Sequence, residues 1–416
     1  MEDLFNILVV FCSSLFFVKS VAKLLKDKGN LLDYCLLAFY LVHVIPLIVQ
    51  LFWGVPEVFH HVNVGYAMND SLTNYIYGLF IVIVCFLLNR LSSKLNPSIL
   101  PSLSIKNSER VVNIILSLAM FAPVIVVLFS PDPSIYLDFS YFYTHSYNED
   151  GYLFLFHRTM VSSSVLFSVV VLIYKYFRQK TDKSMWLYYL AIVTTTWIDG
   201  KRTIFLFSLV GILAVDLIKG KYSNKRTKRS QLFKTVFFVS LVFIYFFAYN
   251  EETGKGQDTE FYYLYTFYFS RMSIVKTAIY DQLYTHKLLD YPCQSVLFNA
   301  LLWIPRSIWE SKPVMYCIYF TTYADAASGQ LDYNLQVNVW SEFISNFGYF
   351  LGPIITCYFL YFLGKISINS GSNVIYLLCT GFCVLYSVYG FEHIISYIFF
   401  IWLFFLLQHK LYHKNS

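Results

Sequence analysis

Long apolar stretches recur along this chain and constrain its fold more than any other feature. Eleven mainly apolar runs are separated by charged or turn-forming residues. A helix needs roughly 20 apolar residues to cross a hydrocarbon core of about 30 Å, and lipid cannot satisfy free backbone groups, so runs of this kind predict membrane-spanning helices. The runs cover residues 4–21, 31–53, 72–88, 111–129, 153–174, 185–198, 203–218, 236–249, 344–363, 374–388 and 394–407.

The composition agrees with a polytopic, all-α integral membrane protein of about 11 transmembrane helices. The 416 residues are 57% hydrophobic and 13% charged, which leaves too little polar surface to cover a soluble globule of this size. The net charge of +6 comes from short basic clusters between the apolar runs. Such clusters are typical of topology determinants rather than of a phosphate-binding face, so no nucleic-acid partner is predicted.

The basic clusters also predict the orientation of the chain. They lie in alternate connections, which the positive-inside rule places in the cytoplasm. The N-terminus is then outside and the C-terminus is cytoplasmic. Residues 250–343 become a large outer loop between helices 8 and 9, long enough to form a small extramembrane subdomain. The chain is thereby divided into residues 1–249 with helices 1 to 8, the loop 250–343, and residues 344–416 with helices 9 to 11 and a cytoplasmic tail.

A charged tip between two short apolar runs is the first candidate site. The run 185–198 reaches only about 21 Å as a helix, so Lys201 and Arg202 are expected below the outer headgroups, where an unpaired charge is costly. An anion at that depth would be a lipid phosphate or pyrophosphate, which the planar guanidinium binds with two hydrogen bonds. An ion pair from Asp199 to one of the two cations explains the same residues equally well.

The remaining cations on the outer side are weaker candidates. Arg271 and Arg306 lie in the large loop and could close over the same anion, although solvated or interfacial arginines are an equal alternative. Arg158, in the first turn of its helix, is weaker still. The other loop lysines are expected at the surface: Lys255, Lys276 and Lys287.

No metal or cofactor site is predicted. The chain contains no HExxH, GxSxG or CxxC pattern. His60 and His61 lack further ligands at metal spacing, which favours a structural or interfacial role. Cys293 and Cys317 both fall in the outer loop and could pair if that face is oxidising.

Three short motifs resemble those of the O-antigen polymerases of the Wzy type. They are Gly-Lys-Arg-Thr at 200–203, Ile-Pro-Arg at 304–306 followed by Lys312 and Pro313, and Glu342 followed by Asn-Phe-Gly at 346–348. The layout of eleven spans with one large late outer loop is similar too, and O-antigen ligases share it. The motifs of the family place functional arginines at Arg202 and Arg306, to which the cation pattern adds Arg271.

The resemblance implies a metal-independent glycosyltransferase without a cofactor, in the bacterial inner membrane. It would move a growing glycan from undecaprenyl pyrophosphate onto a new lipid-linked repeat, and so build O-antigen or a related surface polysaccharide. Its partners would be the lipid-linked oligosaccharide and membrane lipid, and a chain-length regulator protein is a further candidate. Two alternatives stay open: an O-antigen ligase, and a flippase or transporter of the same lipid-linked oligosaccharide.

Glycosyl transfer also requires a general base for the acceptor hydroxyl. Glu342 at the junction of loop and membrane is the first choice, His286 is the second, and Asp325 and Asp332 follow. An acid at a helix N-terminus, favoured by the helix dipole, explains Glu342 as well. The ligases are expected to use a loop histidine, so His286 leaves polymerase and ligase unresolved.

Overall fold

The computed structural model describes most of the chain, and every described element of regular structure is helical. Five described helices are long and apolar enough to cross a membrane, which identifies an all-α membrane protein: Glu2–Leu24, Leu31–Trp53, Ser71–Ser92, Thr159–Tyr176 and Val339–Asn369. The described residues are 2–25, 28–55, 61–95, 109–130, 132–137, 152–178, 185–199, 208, 271–302, 304, 308–325, 335–369, 373–391, 398 and 402.

The helices are numbered in chain order. They are α1 (Glu2–Leu25), α2 (Leu31–Phe39), α3 (Ile45–Trp53), α4 (Val62–Asn69), α5 (Ser71–Ser92), α6 (Glu109–Met120), α7 (Ala122–Leu128), α8 (Tyr152–Arg178), α9 (Met185–Asp199), α10 (Met272–Tyr280), α11 (Gln294–Ala300), α12 (Tyr316–Asp325), α13 (Val339–Asn369) and α14 (Asn373–Leu385). Single π-helical turns at Tyr40–Val44 and Asp281–Thr285 join α2 to α3 and extend α10.

The chain forms two compact units. Unit 1 combines Met1–Leu103 with Glu260–Ser416, and unit 2 is Ser104–Thr259. In unit 2, α6, α7 and α9 pack against α8. The predicted span 111–129 is divided there, because α6 ends at Met120 and α7 restarts at Ala122 with Pro123 in its first turn. Proline lacks the backbone N–H that a continuous helix needs, so Pro123 explains the break between α6 and α7.

Helices α1 and α5 run in the same direction and the segment α2–α3 runs in the opposite one, which gives unit 1 two ends. At one end, the carboxylate of Glu2 in α1 accepts hydrogen bonds from Ser71 and Asn74 of α5 at 3.2 and 2.7 Å. The continuous segment α2–α3 begins at the opposite end, where the Asn30 side chain donates to the carbonyl of Ser92 at the end of α5 at 2.8 Å, and its last part, α3, packs against α1. We call these the Trp53 end and the Leu31 end of unit 1, after the residues that bound that segment.

Helix α13 consists of two arms rather than one rod. Gly348 has φ 84° and ψ 160°, a conformation that is essentially restricted to glycine. A Cβ atom placed on Gly352 would lie 2.5 Å from the carbonyl oxygen of Phe343. Those two residues would be about 13 Å apart along a straight helix, so the arms fold back against each other. The first arm is residues 339–347, and the second, residues 349–369, is long enough to be the span.

Several predicted spans coincide with described helices and others cannot be compared. The predicted run 31–53 has the bounds of the observed segment Leu31–Trp53, while the runs 4–21 and 72–88 fall within α1 and α5. The run 344–363 covers part of both arms of α13 and the break between them. The runs 203–218, 236–249 and 394–407 lie wholly or largely outside the described residues.

Candidate functional site

A π-helical turn and the ends of three other helices meet around His43 in unit 1. His43 lies in the π-helical turn between α2 and α3, and its ring is within hydrogen-bonding distance of the Tyr77 hydroxyl (3.3 Å) and of the amide of Asn338 (3.4 Å). Arg271 and Asn338 immediately precede α10 and α13, and α14 ends shortly before Ser387. We call these residues the His43 cluster: His43, Tyr77, Arg271, Asn338, Ser387 and Val388.

Hydrogen bonds to backbone oxygens hold the cluster together. The backbone N–H of Arg271 donates to the carbonyl of Val42 at 3.4 Å, and its guanidinium Nε donates to the carbonyl of Val388 at 3.2 Å. The Asn338 amide donates to the carbonyl of Ser387 at 3.3 Å. π-helical turns and interrupted helices are frequent at functional sites of membrane proteins, so this cluster is a candidate site.

The cluster lies halfway along the bundle. Val42 is the middle residue of the segment Leu31–Trp53, eleven residues from either bound. At 1.5 Å per residue, Arg271 is therefore about 16 Å from the Trp53 end. The arginine that was predicted in an outer loop thus reaches the depth at which an ionisable side chain is most costly in a membrane.

Two short helices run from the cluster toward the Trp53 end. Along α10, the ammonium group of Lys276 donates to the side-chain oxygen of Gln50 at 3.1 Å, close to Trp53. Along the first arm of α13, the carbonyl of Ser345 accepts from Gln282 at 3.3 Å, just past α10. The two helices are consequently parallel, and both direct the positive ends of their dipoles toward His43.

Arg271, just before α10, and Lys276, within α10, are both buried. Arg271 is 3% exposed and Lys276 is 1% exposed, with the Lys276 ammonium 5.3 Å from the centre of the Tyr77 ring. The prediction that Lys276 lies at the surface is wrong, because α10 packs between α4, α5 and α13 instead of lying in solvent. Lys287, also predicted at the surface, is exposed.

Glu342 joins three separate segments of unit 1. Its fully buried carboxylate accepts hydrogen bonds from Ser295 (2.8 Å), Asn299 (2.9 Å) and the backbone N–H of Phe391 (3.0 Å). Phe391 is three residues from the carbonyl that Arg271 contacts, a separation of at most about 10 Å of chain. Two predicted site residues, Arg271 and Glu342, are therefore brought into one neighbourhood.

The other predicted site residues are apart from this neighbourhood or outside the described residues. His286 is exposed, with φ 50°, and its N–H donates to the carbonyl of Asp281 at 2.9 Å. Arg158 lies in α8 of unit 2, where nothing is described of its side chain. The last four are outside the described residues: Lys201, Arg202, Arg306 and Asp332.

A second polar network lies at the Trp53 end. The carboxylate of Asp281 accepts hydrogen bonds from the Thr285 hydroxyl (2.5 Å) and the backbone N–H of Lys287 (2.8 Å). The Thr285 hydroxyl also contacts the Tyr323 hydroxyl at 2.8 Å. Burial raises the pKa of Tyr323 to about 12 against the opposing effect of its hydrogen bond with Thr285, so this hydroxyl is neutral and can donate at physiological pH.

The structure also shows the surroundings of three other residues for which the sequence provided an expectation: His61, Cys293 and Cys317. His61, expected to have a structural or interfacial role, contacts the carboxylate of Asp325 through its Nδ1 atom. Within the described ranges, no group of three or more His, Cys, Asp or Glu residues is placed to hold a metal ion. Cys293 and Cys317, which could have paired, do not form a disulfide; Cys293 is exposed and Cys317 is buried.

The sequence contains one signal that could have predicted the His43 cluster. His43 and Gln50 are polar residues inside an otherwise apolar run, and such residues mark functional sites in membrane helices. Asn338 had no comparable signal, because it lies in the segment predicted as a loop. Comparison of the chain with protein-family models, with curated proteins and with solved structures gives no match.

Proposed function

We propose that this protein is a membrane glycosyltransferase that polymerises undecaprenyl-pyrophosphate-linked oligosaccharide repeats into O-antigen or a related surface polysaccharide. One observation carries the proposal: Arg271, Lys276 and Glu342 are all buried in the part of unit 1 between its middle and the Trp53 end. All three come from the predicted outer loop and its junction with the next span. Ionisable side chains inside a membrane bundle are functional candidates by default.

The reaction requires charged groups of both signs. The bond between the anomeric carbon and the pyrophosphate oxygen breaks, and the electron pair leaves with undecaprenyl pyrophosphate, so preorganised cations lower the barrier. Arg271 and Lys276 are the described cations for this role, and Arg202 and Arg306 are the cations that the family motifs add. The acceptor hydroxyl forms the new bond and gives its proton to a base, for which Glu342 is the first predicted residue.

Access to the buried cations requires a movement, and α13 provides a place for it. The first arm of α13 packs against α10 and separates from the second arm at Gly348. A Cβ atom at Gly348 would have no neighbour within 4 Å, so the backbone has room to change there. In this proposal, swinging of the first arm opens the path from the Trp53 end, which faces outside, to Arg271.

Reconstitution with a lipid-linked repeat tests the proposal. The purified protein in lipid vesicles is supplied with undecaprenyl-pyrophosphate-linked repeats, and the glycan size distribution is measured on gels. The native protein should yield a ladder of chain lengths, and Arg271→Ala should leave single repeats. Arg90→Ala, at an exposed position near the end of α5, is the matched control and should keep the ladder. Absence of a ladder with folded native protein contradicts the proposal.

The ligase alternative is separated by the acceptor. Vesicles that also contain lipopolysaccharide core are incubated with the same lipid-linked repeats. Transfer of a single glycan to the core without elongation identifies a ligase. Elongation on the polyprenyl carrier without transfer to the core supports the polymerase.

Transport of the lipid-linked oligosaccharide is a second candidate, favoured by one specific observation. Transporters often bind their substrate where helix ends meet halfway through the membrane, and a π-helical turn and three helix ends meet at the His43 cluster. Vesicles loaded with a labelled lipid-linked oligosaccharide distinguish the two activities. Movement of the label to the opposite leaflet without elongation supports transport, whereas elongation without movement supports the polymerase.

A further inference from the structure

The side chains of Gln50 and Lys276 form a buried pair between two helices of unit 1. Gln50 lies in α3 and is 8% exposed, and Lys276 lies in α10 and is 1% exposed. The ammonium of Lys276 donates to the side-chain oxygen of Gln50 at 3.1 Å. Gln50 is three residues from Trp53, the bound of its span, which is about 4.5 Å along the helix. The pair therefore lies just beneath the Trp53 end.

The Lys276 ammonium has more donors than the surrounding side chains use. A lysine ammonium carries three N–H donors. Among the described residues, Gln50 is its one hydrogen-bond acceptor, and the ring of Tyr77, 5.3 Å away, is its one aromatic contact. Buried polar groups are ordinarily hydrogen-bonded. The two remaining donors can therefore bind a ligand that brings its own acceptors.

The side chain of Gln50 is engaged by this contact alone. Over the ranges that the structure describes, its amide makes no hydrogen bond other than the one from Lys276. It also interrupts the otherwise apolar helix Ile45–Trp53, where burying a polar amide costs free energy. The contact explains why an amide is present there: it holds the ammonium in place and leaves its charge intact.

The fold also keeps a nearby acid from neutralising Lys276. The carboxylate of Glu2 in α1 acts electrostatically on this ammonium. It accepts hydrogen bonds from Ser71 and Asn74 of α5 at 3.2 and 2.7 Å, and it forms no ion pair with Lys276 within 4 Å. The positive charge of Lys276 is thus directed at a group outside these helices, and an anion is the ligand that fits it.

We propose that Gln50 is the positioning residue of Lys276 and holds its ammonium as a cation for the pyrophosphate of the lipid-linked donor; this inference rests on the proposed function. Pyrophosphate oxygens carry negative charge and accept hydrogen bonds, so they match the two open donors. Arg271 lies five residues deeper along α10, about 7.5 Å. An anion that enters from the Trp53 end therefore meets Lys276 before Arg271.

Binding of inorganic pyrophosphate to the purified protein tests the assignment without elongation. The dissociation constant is measured by calorimetry in detergent. Gln50→Glu keeps the shape and the hydrogen bond but adds a carboxylate that neutralises Lys276. It should raise Kd about tenfold or more, the effect expected for one hydrogen bond to a charged group. A merely structural hydrogen bond would survive in Gln50→Glu and leave Kd unchanged.

Gln50→Leu removes the amide and leaves the ammonium charged. The cation then loses its fixed partner but not its attraction for the anion, so Kd should rise about threefold or more and by less than in Gln50→Glu. Thermal midpoints in detergent identify the folded variants. If Gln50→Glu does not fold, Gln50→Leu decides, and unchanged pyrophosphate binding in that variant overturns the assignment.

Asn69→Asp is the matched control for the added charge. Asn69 is the last residue of α4 and is exposed, so the new carboxylate is screened by solvent and leaves the pair intact. Kd should stay within about twofold of the native value. The assignment is overturned if Asn69→Asp weakens binding as much as Gln50→Glu, if folded Gln50→Glu binds like the native protein, or if the native protein does not bind pyrophosphate.

The vesicle assay separates failure of this inference from failure of the proposed function. If Gln50→Glu elongates glycan as well as the native protein, the positioning role is wrong and the glycosyltransferase stands. If the native protein binds pyrophosphate through this pair but builds no chains, the proposed function is wrong and the anion site stands.

Discussion

Asp33 and Lys276 are two buried charged residues of unit 1 that have different partners. At the Leu31 end, the carboxylate of Asp33, 1% exposed, lies 3.6 Å from the ammonium of Lys23 and accepts two serine hydroxyl hydrogen bonds at 2.8 Å. Between the middle and the Trp53 end, the ammonium of Lys276 donates to the neutral amide of Gln50. In the part of the chain that the structure describes, no carboxylate oxygen lies within 4 Å of that ammonium.

The difference separates a charge that stabilises the fold from one to which the proposed function assigns a role. Asp33 also completes a capping box with Asn30 at the start of α2, so local sequence and long-range contacts satisfy it together. A buried cation whose hydrogen-bond partner is a neutral amide costs free energy of folding. Under the proposed function, the retention of Lys276 is explained by activity rather than by stability.

Replacement of Asp33 should have the largest effect on folding. Asp33→Ala removes the acceptor for Ser20, Ser92 and the Asn30 backbone and leaves the Lys23 ammonium unpaired. We expect a loss of about 3–5 kcal/mol in the free energy of unfolding, measured by thermal or denaturant unfolding in detergent. Elongation per folded molecule should be unchanged. Asp3→Ala, at an exposed position of α1, is the control and should change stability by less than about 0.5 kcal/mol.

Lys276→Met should act in the opposite direction on stability. It replaces a buried ammonium with an apolar side chain of similar length, so the free energy of unfolding should rise by on the order of 1–4 kcal/mol. Elongation should be lost, because a cation near the leaving group is removed. Lys287→Met, at an exposed position, should alter neither quantity. A less stable but active Lys276→Met protein would reverse the comparison.

Glu342→Gln should produce a smaller loss. The glutamine oxygen can keep the two donors Ser295 and Asn299, but its amide nitrogen cannot accept from the backbone N–H of Phe391. An unsatisfied buried donor costs about 1–3 kcal/mol in the free energy of unfolding. Elongation per folded molecule should fall by about 100-fold or more if Glu342 is the base, as the proposed function has it, and a loss of less than about tenfold would contradict that role.

Tyr284→Phe should have the smallest effect and sets the background for the other variants. It removes an exposed hydrogen bond from the Tyr284 hydroxyl to Asp70 at 3.2 Å. Exposed substitutions of this kind change the free energy of unfolding by about 0.5 kcal/mol or less. Unfolding and elongation measured beside the native protein check this. A large loss in either would extend the functional region to the exposed rim of the Trp53 end.

Apolar length was enough to predict the helices that cross the bundle once. The run 31–53 is bounded by the capping residue Asn30 and by Gly54, so both its length and its ends could be predicted from the sequence. The first arm of α13 could not be recognised as a separate helix from the sequence, because its nine residues continue into the following apolar run without a polar interruption. Gly348 and Pro353 were the local signals of a break, but a fold-back depends on the tertiary contact at Gly352.

The sequence predicted which residues belong to the candidate site better than it predicted where they lie in the fold. Arg271 and Glu342 were chosen for charge and position near the membrane, and both are buried in unit 1. Their depth could not be predicted, since α10 is too short to be recognised as a membrane segment and was assigned to a loop. The pairing of His61 with Asp325 depends on the docking of α4 against α12, which no spacing in the sequence encodes.

The fold-back at Gly348 affects how the topology of this protein should be mapped with inserted tags. A cysteine label at position 348 would sit at the turn between the arms, whereas one at Asn338, ten residues earlier, would be enclosed halfway through the bundle. Labelling by a membrane-impermeant reagent should therefore change abruptly over this interval although the chain has not crossed the bilayer. A span count that equates every hydrophobic stretch with one crossing would assign the wrong side to whatever follows.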